Sequence, residues 1–229
     1  MKPGPIALVG SGEYLPVMAQ IEANLISGRG DKYVQIPTAA AQEGERSLNY
    51  WRDLGIAQAQ RIGVQPVPLL ITDRMKADDD EYVKQIEGAG LIYFSGGNPH
   101  YLANTLRDTK LWQAIHQAWL SGAALAGCSA GAMAIANHIP ELRSFSKTTT
   151  PGFALLPNVR VLPHFDRMFM NIVSRIKHDK GLTILGIDEN TALVGGLDEW
   201  EVQGVGSVWV FFDGGKIQYK SGQKVVLPN

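Results

Sequence analysis

Short apolar runs alternate along this chain with longer segments of helical period. Ile6–Val9, Tyr33–Ile36, Val64–Ile71 and Leu91–Phe94 are apolar over strand-like lengths, without the strict alternation of a strand wetted on one face. Pro16–Ile26, Glu45–Ile62, Asp78–Glu87 and Leu111–Leu120 carry helical spacing. The acidic run Asp78-Asp79-Asp80-Glu81 suits a solvated helix amino end better than a metal site, because no second ligand cluster with calcium-loop spacing follows it. Pro66 and Pro68 withhold ladder donors, so the third strand is expected to pair only in part. Strands alternating with helices predict an α/β fold, a three-layer sandwich around a mainly parallel central sheet.

Beyond Gly181 the texture changes. Thr183–Ile187, Ala192–Val194, Glu201–Val205, Ser207–Phe212 and Lys216–Tyr219 read as strands separated by Gly and Asp turns, with Asp213-Gly214-Gly215 as a hairpin signal. These are expected to be antiparallel strands that extend or flank the main sheet. Trp200, Trp209, Phe211 and Phe212 read as core or edge packing rather than a ligand-stacking surface. Repeats, low-complexity tracts and linkers are absent, so residues 1–229 are expected to form one domain.

Composition narrows the partners. Hydrophobic residues make up 45% of the 229, enough for a substantial core, and a formal net charge of −1 gives no bulk attraction to nucleic acid or an anionic membrane. A single cysteine excludes an intrachain disulfide. Met1–Pro5 reads as the approach to a strand rather than to a secretion signal's apolar core, and no apolar run approaches the roughly 20 residues that cross a bilayer. A soluble, cytoplasmic protein is expected.

The chemistry concentrates at Ala124–Ala136. An apolar run, Ala123–Ala126, leads into Gly127-Cys128-Ser129-Ala130-Gly131, and a small-residue helix follows. This is G-x-S-x-G in the strand–turn–helix context of a nucleophile elbow. Glycines at 127 and 131 bracket Ser129; centring on Cys128 would need them at 126 and 130, which are alanines. Ser129 is therefore the candidate nucleophile.

A serine hydroxyl needs an adjacent base, usually a histidine held by a carboxylate. Of the five histidines, His116 lies within a helical pattern, His178 within the basic stretch Arg175–His178, and His138 at the end of the elbow helix. His100 follows Gly97-Asn98 and reads as a supporting or substrate-contacting group. His164 is the best base, because Pro163-His164-Phe165-Asp166 follows the apolar strand Val159–Leu162, at the carboxyl edge where open α/β sheets bind ligands. The strand Thr183–Ile187 ends in Asp188-Glu189, and side-chain alternation lets one of these acids face the histidine. Gly96-Gly97-Asn98 and the N–H of Ala130 could supply oxyanion donors. Gly10-Ser11-Gly12 lacks the remaining glycine of a dinucleotide fingerprint and is not read as one.

Several motifs in this order resemble the dipeptidase E and cyanophycinase family of serine peptidases, whose fold is similar to that of class I glutamine amidotransferases. The resemblance runs through Leu8–Glu13, Ile36–Ala39, Phe94–Asn98, Gly127–Ala132, Gly152–Pro157, Pro163-His164-Phe165 and Gly186–Ala192. It implies Ser129 as nucleophile, His164 as base, Glu189 as orienting acid, and Gly97 and Ala130 at the oxyanion hole. The chain departs from the cyanophycinase pattern at Leu162-Pro163, at Asp166-Arg167-Met168 and at Asn98-Pro99. Asn98 and Pro-His-Phe are more similar to dipeptidase E, which implies a peptide with an N-terminal aspartate and a cation to receive it; Asn98 and Arg167, or Arg175, are the substrate-binding candidates.

The expected activity is serine-type hydrolysis of a small peptide, with no metal or organic cofactor. Cyanophycin-like or isoaspartyl cleavage is the alternative within hydrolases, and a non-catalytic relative that binds a small ligand is the alternative outside them. A monomer and a homodimer are both compatible with the sequence.

Overall fold

The computed structural model describes residues 2–140, 149–168, 181–196, 199–213 and 215–227. An eight-stranded sheet runs in the order β14-β11-β10-β1-β5-β4-β2-β3. Its parallel part consists of β1 (Ile6–Val9), β5 (Ala124–Cys128), β4 (Ala89–Phe94), β2 (Lys32–Ile36) and β3 (Gln65–Pro68). β10 (Thr191–Gly195), β11 (Trp200–Gly204) and β14 (Lys224–Val225) extend it antiparallel beyond β1. The two prolines leave β3 an edge strand that pairs with β2 alone.

Side-chain alternation sorts this sheet into two packed faces. Ile6, Leu8, Val34, Ile36, Ile92, Phe94 and Leu125 belong to one apolar cluster; Ala7, Val9, Tyr33, Leu91, Tyr93, Ala124 and Ala126 belong to another. Both faces being apolar is why these strands read as continuous hydrophobic runs. The second cluster is closed by α1 (Ala19–Ile26) and α2 (Glu45–Arg61), through Ile21, Leu25 and Ala59. The first is closed by α5 (Pro99–Leu106), α6 (Lys110–Leu120) and α7 (Ala130–Ile135).

A smaller sheet, β13-β12-β9-β8, packs into the same first cluster through Val161, Leu185 and Val210. It comprises β8 (Val159–Leu162), β9 (Thr183–Ile187), β12 (Ser207–Phe212) and β13 (Gly215–Lys220). The strands past Gly181 are thus divided: some extend the main sheet and some flank it. The hairpin falls where expected, with Phe212 opposite Gly215. β6 (His138–Pro140) and β7 (Thr149–Pro151) form a separate antiparallel pair.

Local differences from the sequence pattern have physical reasons. The helix expected over Asp78–Glu87 is the shorter α4 (Asp80–Lys84), and a separate short helix, α3 (Arg74–Ala77), precedes it; Asp73 and Asp79 each turn a carboxylate back to cap one of the two amino ends. Thr38–Glu43, after β2, forms a 3₁₀ helix. α7 stops at Ile135, so His138 lies in β6 and not on the elbow helix. Helix α5 opens on Asn98-Pro99, whose cap and fixed φ are sequence signals that periodicity alone overlooks. Among the described residues no helix is long and apolar enough to cross a membrane.

Candidate active site

The carboxyl ends of β1, β4 and β5 meet at Ser129. Its φ of 48° and ψ of −105° are rare for a residue bearing a side chain, and such conformations cost on the order of 1–3 kcal/mol. The surroundings hold it there. Ser129 N–H donates to Val9 O at 2.9 Å, anchoring the turn to β1. The bracketing glycines let β5 and α7 close up: a Cβ on Gly127 would lie 2.4 Å from the Gly131 carbonyl carbon, and one on Gly131 would lie 2.3 Å from Phe94 O.

His164 follows β8 in left-handed backbone, φ 52° and ψ 38°, and opens a 3₁₀ turn over Phe165–Arg167. Phe165 packs into the space a side chain at position 186 would fill, seating this turn on β9. Glu189 lies in the β9–β10 turn, where its N–H donates to Asp166 Oδ1 at 2.9 Å. Asp166 thus ties the loop of the histidine to that of the acid.

These elements bring the side chains into line. Ser129 Oγ lies 3.0 Å from His164 Nε2, and His164 Nδ1 lies 2.9 Å from Glu189 Oε1. A carboxylate only accepts, so Nδ1 carries the donated proton and Nε2 is left as an acceptor facing the serine hydroxyl. Asp188 points elsewhere. Its Oδ2 accepts from Ser207 N–H at 2.9 Å, and partial burial raises its pKa.

The remaining candidates separate. Arg167 is exposed and its Nη2 lies 2.7 Å from Glu189 Oε2, so its guanidinium borders the site while paired to the acid. Asn98 has both ends of its amide engaged: Oδ1 accepts from Tyr101 N–H at the start of α5, and Nδ2 donates to Gln42. His100 Nδ1 lies 2.7 Å from Thr150 Oγ1, which turns it toward β7. Arg175 and His178 lie outside the described residues. In the loop after β4, Ser95 N–H donates to Ile36 O, Gly96 N–H to Glu13 Oε1, and Asn98 N–H to Ala39 O. The Gly97 N–H between them has no partner among the described residues.

Two contributors escaped the sequence reading, Asp166 and Glu13. Glu13 was legible only as part of a loop at a strand's carboxyl end; its partners, Gly96 and Cys128, are 83 and 115 residues away. Among the described residues no group of three or more His, Cys, Asp or Glu is placed to hold a metal.

The model of peptidase family S51 matches residues 6–201, a span that contains Ser129, His164 and Glu189. The chain belongs to that family. It is a serine-type peptidase, and its fold agrees with those of two solved structures. A peptidase from an acI-B1 actinobacterium is 41% identical, with a TM-score of 0.91 over 98% of this chain and 97% of that one. A putative peptidase E from Listeria monocytogenes shares the fold, with a TM-score of 0.64 over 95% of this chain and 98% of that one at 19% identity. Cyanophycinase from Geminocystis herdmanii is 29% identical over 215 residues, which are 87% of this S51 peptidase and 76% of the relative. Cyanophycinase from Synechococcus elongatus is 29% identical over 198 residues, 80% of this chain and 60% of that one.

Proposed function

We propose that this S51 peptidase hydrolyses small peptides by acyl transfer through Ser129, His164 and Glu189. The observation that carries the reading is the unbroken line from Ser129 Oγ through the imidazole to Glu189, at 3.0 and 2.9 Å. Ser129 Oγ attacks the scissile carbonyl carbon while its proton passes to His164 Nε2. Glu189 holds the imidazole tautomer and stabilises the imidazolium. The N–H groups of Gly97 and Ala130 receive the oxyanion, a donor of this kind contributing about 2.7–4 kcal/mol. His164 then protonates the leaving amine, and water releases the acyl-enzyme by the reverse proton path.

The substrate we favour is a dipeptide with an acidic first residue. Arg167 supports this, because an exposed guanidinium at the rim of the site can turn part of its donor fork to a substrate carboxylate while keeping Glu189. Asn98 supports it less, since its amide is already spent on α5 and Gln42. Cleavage of β-linked aspartyl peptides is the second reading, favoured by the cyanophycinases among the relatives. A panel of Asp-Xaa, Ala-Xaa and β-Asp-Arg dipeptides, with Ser129→Ala as control, separates the readings. Release of aspartate from Asp-Xaa by the native chain alone is the expected result. Turnover confined to β-Asp-Arg would move the assignment to the second reading, and activity surviving in Ser129→Ala would remove the mechanism.

A further inference from the structure

The Glu13 carboxylate is buried directly beneath this site and takes no part in the relay just described. The residue is 7% exposed and sits in the loop after β1. Oε1 accepts from Gly96 N–H at 2.9 Å, and Oε2 accepts from the Cys128 thiol at 2.7 Å. Gly96 precedes Gly97, and Cys128 precedes Ser129. One carboxylate therefore bridges the loop that carries the Gly97 N–H and the strand that ends in the elbow.

Its neighbour repeats the tie. Tyr14, at a left-handed φ of 62°, places its hydroxyl 2.9 Å from Ser95 Oγ in full burial. On the other side of the loop, Asn98 N–H donates to Ala39 O, and a Cβ on Gly97 would lie 2.4 Å from that same oxygen. The peptides before and after the one carrying the Gly97 N–H are thus both pinned. Two successive glycines have the widest backbone freedom of any dipeptide, so an unpinned Gly96-Gly97 would spread this N–H over many directions. Preorganised donors stabilise a developing oxyanion because they need no reorientation during reaction.

We infer that Glu13 is a positioning residue for the oxyanion hole: by accepting from Gly96 N–H it aims the Gly97 N–H at the carbonyl that Ser129 attacks. This rests on the reading of the site proposed above. Burial and the adjacent Glu13 push the Cys128 thiol pKa well up, which keeps the thiol protonated and donating to the carboxylate.

The test is the second-order rate at which a fluorophosphonate modifies Ser129 in the full-length chain. In that step the Ser129 Oγ–P bond forms, the P–F bond breaks, fluoride leaves, and the serine proton passes to His164. The phosphonyl oxygen occupies the oxyanion position. Glu13→Ala should slow labelling about 10²-fold, the scale of losing one oxyanion donor. The ascending limb of its pH–rate profile should stay where it is in the native chain, because the base is untouched. Glu13→Gln keeps an acceptor for Gly96 and should restore labelling to within about tenfold of native, a loss near that of a single weakened hydrogen bond. Gly96→Ala offers an independent route, since its methyl would stand 2.7 Å from Glu13 Oε1 while leaving that residue in place. It should slow labelling by more than tenfold. Native-like labelling in both Glu13→Ala and Gly96→Ala would overturn the inference and leave the proposed mechanism standing. Glu13→Gln as slow as Glu13→Ala would overturn it too. Failure of the native chain to label at all would overturn the mechanism, and the inference with it.

Discussion

Adjacent side chains around the site have opposite fates, and the reason is backbone geometry. Cys128 and Ser129 are neighbours, yet the thiol is buried against Glu13 whereas the serine is lifted to the surface of the site by its left-handed turn. Ser129→Ala should abolish peptide turnover, by about six decades if the relay works as a unit, with unfolding unchanged. Cys128→Ser should retain activity within a few-fold, since a hydroxyl can donate to Glu13 as the thiol does. Asp188 and Glu189 divide in the same way. Steady-state kinetics of Glu189→Gln should show a fall of about 10⁴, the scale of losing tautomer control in a serine protease triad. Asp188→Asn keeps an acceptor for Ser207 N–H and should cost far less. A larger defect in Asp188→Asn would contradict the geometry. Ser129 and His164 were legible in the sequence, one by its bracketing glycines and the other by its place after an apolar strand. The choice between the acids was not legible, because the turn through Asn190, at φ 53°, breaks the strand's alternation where the choice is made. Glu13 was hidden for another reason, its partners being remote in sequence.

Between elements, close approach and buried polar ties set the geometry. Gly131→Ala would drive a methyl into Phe94, 2.3 Å from its carbonyl oxygen, where β4 and α7 meet. The overpacking should cost about 1–3 kcal/mol, measured by urea unfolding, with activity falling as the elbow shifts. Helix α1 is tied to β2 by Tyr33, whose hydroxyl donates to Glu22 at 2.9 Å. Burial raises the Glu22 pKa from 4.5 to about 7, against the lowering effect of hydrogen bonds from Tyr33, Gln58 and Tyr14. Between these two values the folded chain binds a proton that the unfolded chain has lost, so stability falls as pH rises through that window. Glu22→Gln should remove this slope. It should exceed the native chain at pH 8 by on the order of 3 kcal/mol, the advantage shrinking toward pH 5; an offset independent of pH would contradict the assignment. The strands of the parallel core were readable because burial on both faces leaves a continuous apolar signature. Helix α5 was not, since its start is marked by a cap and a proline rather than by periodicity.

Across the whole molecule, the eight-stranded and four-stranded sheets share one apolar cluster, in which Leu8 and Ile92 of one sheet join Val161 and Leu185 of the other. The triad candidates span both: Ser129 follows β5 of the larger sheet and His164 follows β8 of the smaller, while Glu189 lies in the turn from β9 to β10 that connects them. We propose on this ground that the chain is one cooperative domain. Tryptophan fluorescence and far-ultraviolet dichroism should then report one thermal midpoint, and two separated midpoints would contradict it. How strands past Gly181 divide between the sheets was not legible in the sequence, because alternation marks a strand's faces but not its neighbours. We propose Ser129, activated by His164, as the nucleophile of this S51 peptidase. The most direct test of that role is fluorophosphonate labelling of the native chain, Ser129→Ala and His164→Ala, with the modified residue mapped by peptide mass spectrometry. One adduct is expected, on Ser129, absent from Ser129→Ala and formed far more slowly in His164→Ala; an adduct on another residue, or none in the native chain, would contradict that role.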